Sequence, residues 1–298
     1  ESINDCGVWF MIINPFGPMV HRDIDVDMPI YRIIRLDFFC QMIERKQLYL
    51  RNILCWDDPW EIPSRLLSYH RDKQASHNSF LAIIHMASKM IKPLYGSCWS
   101  TDADNDAMWR IYSSDRQGVC IQTTARKLFK STDFYTIEPN GRFQAVFLGP
   151  IRYAKLEESK EWCKLYDEEA ETYPYYMIPA FIKRDAFSHE KEIRLLLYLQ
   201  NYFRDEEDQW RIFPDVNGIY VSLHDLSFIE KVTLDPRLDD DAVKDISARI
   251  SGYDFQIEKS SLYTLPNGLI ENALFDREYE LKYPKGAKVW LDSLNDFK

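Results

Sequence analysis

The stretch HEKEIRLLLYL, residues 189–199, sets Glu190, Glu192 and Arg194 at every second position and then runs into apolar residues. Two carboxylates at this spacing can serve acid–base chemistry or hold a metal, provided one face of one element presents both. An extended chain does so, because alternate residues share a face. A helix turns by about 100° per residue and would part the glutamates by about 200°. The apolar run from Ile193 to Leu199 is short, holds branched and aromatic residues, and gives way to the polar QNYFRDEEDQ. It reads as a strand, with Ile193, Leu195 and Leu197 on the face opposite the charges. The alternative to chemistry is a strand mouth whose charges satisfy one another in cross-strand pairs worth less than ~1 kcal/mol each.

A second acidic group, DDPWE, contains Asp57, Asp58 and Glu61. Asp58 followed by Pro59 and, three residues on, by Glu61 has the pattern of a helix N-terminus: a capping side chain, proline at the first helical position, and an acid reaching back. Together with Glu190 and Glu192 these acids are the set a two-metal nuclease would need. Capping explains DDPWE without a metal, and no metal is expected. His77 and His85 lie eight residues apart on a helical pattern over 75–91, not the four that puts two ligands on adjacent turns.

The elements that must position these residues come from a chain of 298 residues, long enough for one large core or two smaller ones. A net charge of −10 argues against general duplex DNA binding, which needs lysine and arginine to neutralise phosphate. There are only 10 glycines and neither GxGxxG nor GxxxxGK[ST], so no glycine-built phosphate cradle is expected. Cys6, Cys40, Cys55, Cys98, Cys120 and Cys163 show no metal-ligand spacing and read as reduced thiols of a cytoplasmic protein. The apolar start CGVWFMIINPFGP is too short to span a bilayer and is broken by prolines, so no membrane association is expected.

Strands are expected at WFMII, IYRII, LYLRNI, LYGSCWS, GVCIQTT, FQAVFLGPIRYA, NGIYVSL, FIEKVTL and DFQIEKS. Helices are expected at LDFFCQMIERKQ, with a stripe of Phe38, Phe39, Met42 and Ile43, at DAMWRIYS capped by Asp102 or Asp104, and at DDDAVKDISARIS. HRDIDVDMP looks like a linker, KLEESKEWCKLYDEEAETY like a surface helix, and YPYYMIPAF like buried structure. Strands and helices mix without βαβ regularity. The expected fold is therefore α+β, with a mixed, curved or split sheet and helices packed outside. The expected divisions are an N-terminal extension or remnant of a preceding domain at 1–27, a main domain at 28–265, and a tail at 266–298.

Several separated segments, taken in order, resemble the bacterial family of domain of unknown function 2971. They are the Tyr-Arg of IYRII, LYLRNILCWDDPWE, CWSTDADNDAMWRIYSSDRQGVCI, FIKRDAFSHEKEIRLLL and VTLDPRLDDDAVKDIS, followed by IEKSSLY. The resemblance spans about Met28 to Tyr263, with LDPR standing where the family has Gly-Pro. The family name implies no activity. The order of Arg32, then Ser97 and Ser100, then the Glu-x-Glu pair also resembles the layout of ADP-ribosyltransferases. That resemblance implies an ADP-ribosyltransferase-like core that consumes NAD as co-substrate and modifies a macromolecule, as a toxin or antiphage effector does. In that scheme Arg32 clamps the NAD phosphates or ribose, and Ser97 or Ser100 orients the nicotinamide ribose. Glu192 would stabilise the oxocarbenium-like charge, Glu190 would take the acceptor's proton, and Trp99 or Trp109 would stack on a ring. The competing expectations are a non-enzymatic binding or sensor module in a defence or regulatory complex, and the metal-dependent nuclease. In a purely structural reading, Arg32 pairs with Glu190 or Glu192 and merely locks two strands together.

Overall fold

In the computed structural model the described residues are 18–58, 61, 94–138, 143–155, 164–165, 167–170, 172–173, 177–199, 202–204, 210–212 and 217–265. The segment WFMII, the helical pattern over 75–91 with His77 and His85, and the tail at 266–298 lie outside them, as does much of KLEESKEWCKLYDEEAETY. The chain divides into two compact units, Glu1–Ser260 and Ser261–Lys298. The described part of the second is a short turn in which Thr264 N–H donates to the Ser261 carbonyl at 2.8 Å.

Residues 192–199 form an inner strand of the first unit's sheet. Strand β10 (Glu192–Leu199) has all eight residues buried. It lies antiparallel between β7 (Phe143–Pro150) and β4 (Leu94–Ser100). A central strand must be covered on both faces, so apolar residues fill both alternations beyond the charges. Leu195, Leu197 and Leu199 join one core with Phe39, Met42 and Ile43 of helix α1 (Leu36–Arg45). Leu196 and Tyr198 join a second core with Tyr173, Met177, Ile178 and Phe181. The buried reading of YPYYMIPAF thus holds for its described residues Tyr173 and Met177–Phe181.

The far edge of β4 is shared by two strands, and this splits the sheet. At one end Tyr31 of β2 (Pro29–Arg35) pairs with Ser100. At the other, Arg51 and Asn52 of β3 (Gln47–Asn52) pair with Gly96 and Tyr95. Beyond that point β2 continues antiparallel to β5 (Gly118–Thr124), while β3 continues to β13 (Gly218–Leu223). Ser97, Cys98 and Trp99 have no ladder partner on this edge among the described residues, and a cleft opens there. The full sheet has 11 strands, mostly antiparallel, with parallel pairs between β1 (Met19–Val20) and β7 and between β14 (Lys231–Leu234) and β15 (Gln256–Lys259). The architecture is α+β with a mixed, split sheet.

Local expectations differ from the structure in three places. HRDIDVDMP is not a free linker: β1 precedes it on the sheet, His21 N–H donates to the Leu148 carbonyl at 2.8 Å, and His21 is buried. Phe38 leaves the apolar stripe of α1 and is 57% exposed, because Leu36 and Cys40 fill the inner face instead. Helix α2 (Asp106–Tyr112) is capped by Asn105, whose side chain accepts from Ala107 N–H at 2.9 Å, and not by Asp102 or Asp104. Asp104 instead accepts hydrogen bonds from the Trp109 indole at 2.6 Å and from Ser260 Oγ.

Candidate active site

The cleft at the split has a volume of about 620 Å³, in the size class of small-molecule sites. Its lining brings together Arg32, Ser97, Trp99 and Ser100 with Glu190 and Glu192. On one side, Arg32 projects from β2 and donates from Nη1 to Ser97 Oγ at 2.8 Å. Its guanidinium lies 5.8 Å from the Trp99 ring centroid, and burial holds its pKa below the ordinary arginine value. Among the described residues no carboxylate pairs with Arg32, so the closed Arg32–Glu pair is not formed.

The other side is a buried charge cluster that the strand-mouth reading did not anticipate. Register places Glu192 opposite Ser100 and Arg194 opposite Cys98, on the same face of the sheet. Arg194, with no exposure at all, donates to both Glu192 oxygens at 2.6 and 3.0 Å, to Glu61 at 3.1 Å and to the Ala180 carbonyl at 2.6 Å. Its guanidinium stacks 4.1 Å from the Trp56 ring centroid. That stacking needs Gly96 beneath it, since a Cβ there would meet Trp56 at 2.7 Å and Leu196 at 2.8 Å. Lys183 of β9 (Ile182–Arg184) reaches Glu190 at 2.6 Å, Glu61 at 3.1 Å and Glu192 at 3.2 Å. Three carboxylates thus face two cations, leaving one net negative charge in a dry site.

Glu190 stands just outside the strand. It ends a 3-10 turn (Asp185–Glu190), and Lys191 then takes a left-handed φ of 43° before β10 starts. Ser100 fixes this turn, donating from Oγ to the Glu190 carbonyl at 2.7 Å and accepting from Asp102 N–H at 3.0 Å. Tyr112, at the end of α2, donates to Glu190 Oε1 at 3.1 Å. The two glutamates therefore differ: both oxygens of Glu192 are occupied by Arg194, whereas Glu190 has one partner on each oxygen.

The electrostatics follow from this geometry. Burial alone would raise the Glu192 carboxyl, but the Arg194 and Lys183 charges and hydrogen bonds from Arg194 and Cys98 overcome it and bring the pKa down to about 2. Burial opposes charge on Lys183 too, yet the surrounding glutamates hold its pKa above the ordinary lysine value. Burial, reinforced by the Glu192 charge, pushes the Cys98 thiol up, so it is no nucleophile. A depressed carboxylate pKa stabilises the fold above the unfolded value near 4.5 and ceases to do so as pH falls through about 2. We therefore expect melting temperature to fall across that window, and to fall less steeply in Glu192→Gln. Equal slopes in acid melts of the two proteins would contradict the assigned ion pairs.

The remaining predicted residues separate. Trp99 lines the cleft but is 2% exposed, and its indole nitrogen has no hydrogen-bond partner among the described residues. Trp109 is 1% exposed with its indole bound to Asp104, and it lies outside the cleft lining. Neither offers an open ring face; the other aromatic side chains of the cleft lining include Tyr112 and Phe187. The acids of DDPWE do not converge as metal ligands. Asp57 is 99% exposed, Asp58 takes Arg184 at 3.2 Å, and the Glu61 carboxylate is bound by Arg194 and Lys183. The helix that Asp58 was expected to cap lies outside the described residues.

Sequence reasoning missed Lys183, Tyr112 and Tyr153, whose hydroxyl accepts from Glu192 N–H at 2.8 Å. One signal was available: two acids at the head of a buried strand require cations, and Lys183 sits in the apolar run PAFIKRDAF. The LDPR departure also has a use. Asp235 and Arg237 pair at 2.6 Å, and Arg237 donates to the Trp109 and Ser113 carbonyls, tying down the end of the helix that carries Tyr112.

Fold and site together define an α+β protein with a split mixed sheet and an arginine–serine pair sharing a cleft with a buried glutamate cluster. A family model described as "Protein of unknown function (DUF2971)" matches residues 108–195, in line with the sequence resemblance. The matched span includes Tyr112, Lys183, Glu190, Glu192 and Arg194, and leaves out Arg32 and Ser97. A search of curated proteins returns no match. Among solved structures the chain is similar to Thermus sp. 2.9 DarT in complex with NAD+, at 10% identity and a TM-score of 0.34, covering 79% of this chain and 96% of that one. It is likewise similar to Thermus sp. 2.9 DarT in complex with ADP-ribosylated ssDNA, at 12% identity and a TM-score of 0.33, covering 80% of this chain and 97% of that one.

Proposed function

We propose that this protein is an ADP-ribosyltransferase-like enzyme that splits NAD and transfers ADP-ribose to a macromolecule, acting in the cytoplasm as a toxin or antiphage effector. The observation that carries this reading is Arg32, a cation with no carboxylate partner among the described residues, sharing one cleft with a buried glutamate cluster of net negative charge. The cleft accordingly has a place for phosphate and a place for a developing cation. Arg32 would hold the NAD phosphates, and Ser97, already bonded to it, would orient the neighbouring ribose.

In the reaction the bond between C1′ and the nicotinamide nitrogen breaks, and the electron pair leaves with nicotinamide. The positive charge left on the ribosyl group faces the excess negative charge of the cluster, with Glu192 held rigid by Arg194. An acceptor oxygen or nitrogen then bonds to C1′ and loses its proton to Glu190, the glutamate with spare acceptor capacity. Tyr112 and Phe187 would flank the ring in place of Trp109.

The non-enzymatic module keeps one supporting observation: double occupancy of Glu192 by Arg194 is also how a purely structural lock would look. The nuclease reading has less support, because Asp58, Glu61, Glu190 and Glu192 are each ion-paired with arginine or lysine. Calorimetric titration with NAD separates the first two. Wild-type protein should bind NAD, and Arg32→Ala should weaken binding by about tenfold or more, as loss of a charge-assisted bond of ~1.5–3 kcal/mol implies. No heat of binding, or equal affinity in the variant, would remove Arg32 from the site.

A further inference from the structure

A second cavity, of about 590 Å³, adjoins the cleft and shares Arg32, Ile34 and Arg51 with it. Its lining is unlike the rest of a chain whose net charge is −10. Among the described residues it includes three arginines, Arg32, Arg45 and Arg51, and neither aspartate nor glutamate. Among the described residues Arg45 has no carboxylate partner, and Arg51 has only the fully exposed Asp57 at 3.9 Å.

Between the arginines stand three exposed aromatic rings. Phe38, displaced from the apolar stripe of α1, is 57% exposed. Tyr49 and Tyr220 project from the paired strands β3 and β13 with ring centroids 5.1 Å apart. The Tyr49 ring is built into place: it lies over Gly218, where a Cβ would come within 2.2 Å of the phenol oxygen, and its hydroxyl donates to the Asn217 carbonyl at 3.3 Å. Single exposed rings are ordinary, but several lining one groove with polar residues around them mark an interaction surface.

We propose that this groove is a binding site for single-stranded nucleic acid. Unpaired bases offer flat faces to Phe38, Tyr49 and Tyr220, and the backbone offers phosphates to Arg45 and Arg51, the combination that holds single strands without duplex. A protein partner of acidic sequence would use the arginines and leave the rings idle. A duplex hides its base faces in the stack. The groove opens into the cleft at Arg32, so a strand lying in it delivers a base or sugar oxygen or nitrogen toward Glu190. That the strand is the acceptor of ADP-ribose rests on the NAD chemistry proposed above; that it binds does not.

The test is fluorescence anisotropy without NAD, using labelled single-stranded DNA and RNA oligonucleotides, a duplex of equal length, and polyglutamate as competitor. Binding to either single strand is expected, at least tenfold tighter than to duplex. The log–log salt slope should be about −1.4, from roughly 0.7 per phosphate contact at Arg45 and Arg51. Phe38→Ala and Arg45→Glu change exposed side chains; each should weaken binding at least fivefold with unchanged melting temperature. Comparison of the DNA and RNA arms identifies the natural strand. Absent binding, equal binding of duplex, displacement by polyglutamate at equal charge, or unaltered affinity in both variants overturns the proposal. Strand binding without NAD cleavage would spare this site and sink the transferase reading, and the reverse result would do the opposite.

Discussion

Glu192→Gln should lower the rate of nicotinamide release from NAD by about 10²–10³-fold, the range for removing one group that stabilises transition-state charge in a dry site. The fold should survive this change for a reason the charge count gives. Glu61, Glu190 and Glu192 face Lys183 and Arg194, and neutralising one glutamate leaves two charges of each sign. Gln keeps the shape and an oxygen able to accept from Arg194. The effect should therefore fall on the chemical step, with NAD affinity nearly unchanged, since the proposed scheme gives the phosphates to Arg32 and not to Glu192. Single-turnover rates and NAD titrations on the same preparation separate the two. A variant with full activity would return Glu192 to the scaffold.

Arg194→Met should have the opposite character, with a large loss of stability. Met matches much of the aliphatic volume and keeps a contact with Trp56, but it leaves Glu61, Glu190 and Glu192 against Lys183 alone, a net charge of −2 within buried surroundings. Breaking a buried ion pair by removing one partner costs about 3–5 kcal/mol, far more than the pair's net worth, because the orphaned charge stays in a dry place. The Ala180 carbonyl also loses its donor. Chemical denaturation at pH 7 should show the loss, and adding Glu192→Gln to Arg194→Met should restore part of it. Additive destabilisation in the double variant would show that the two side chains do not share one electrostatic cluster.

Much of the architecture was legible because periodicity and end signals agreed. LYGSCWS and GVCIQTT are strands over their whole quoted length, and the acidic start of DDDAVKDISARIS opens a helix at Asp240–Ile250 with Asp239 as its cap. The alternation placed Glu192 and Arg194 on one strand face correctly, but not Glu190, which ends a 3-10 turn before the strand begins. What one-dimensional patterning could not supply was the depth of burial. Acids beside a strand start look solvated in sequence, and only tertiary packing shows Glu190 and Glu192 at 6% and 4% exposure. Lys183 and Glu61 reach them from remote segments, so their roles carry no local signature. The same limit misplaced Trp109: an aromatic near candidate site residues reads as a stacking ring until its indole proves to be held by Asp104. Asn105, three residues after Asp102, took the cap because both aspartates had other partners, Lys191 and Ser260.

The cleft also separates two kinds of charge that sequence alone treats alike. Arg194 is wholly buried and bound to carboxylates, whereas Arg32 has serine and an indole face for company. The first is what a strand pair needs to bury its glutamates. The second is half-buried in the cleft with no carboxylate partner among the described residues, and in the proposed function it takes a dinucleotide phosphate.

The most direct test of the central claim is chromatographic detection of free nicotinamide after purified protein is incubated with NAD, alone and with single-stranded DNA, single-stranded RNA and protein acceptors. The wild type should release nicotinamide, the acceptor that becomes labelled with ADP-ribose should stimulate that release, and both signals should nearly vanish in Glu192→Gln. NAD remaining intact with every acceptor present, while the protein is folded and monodisperse, would contradict that claim.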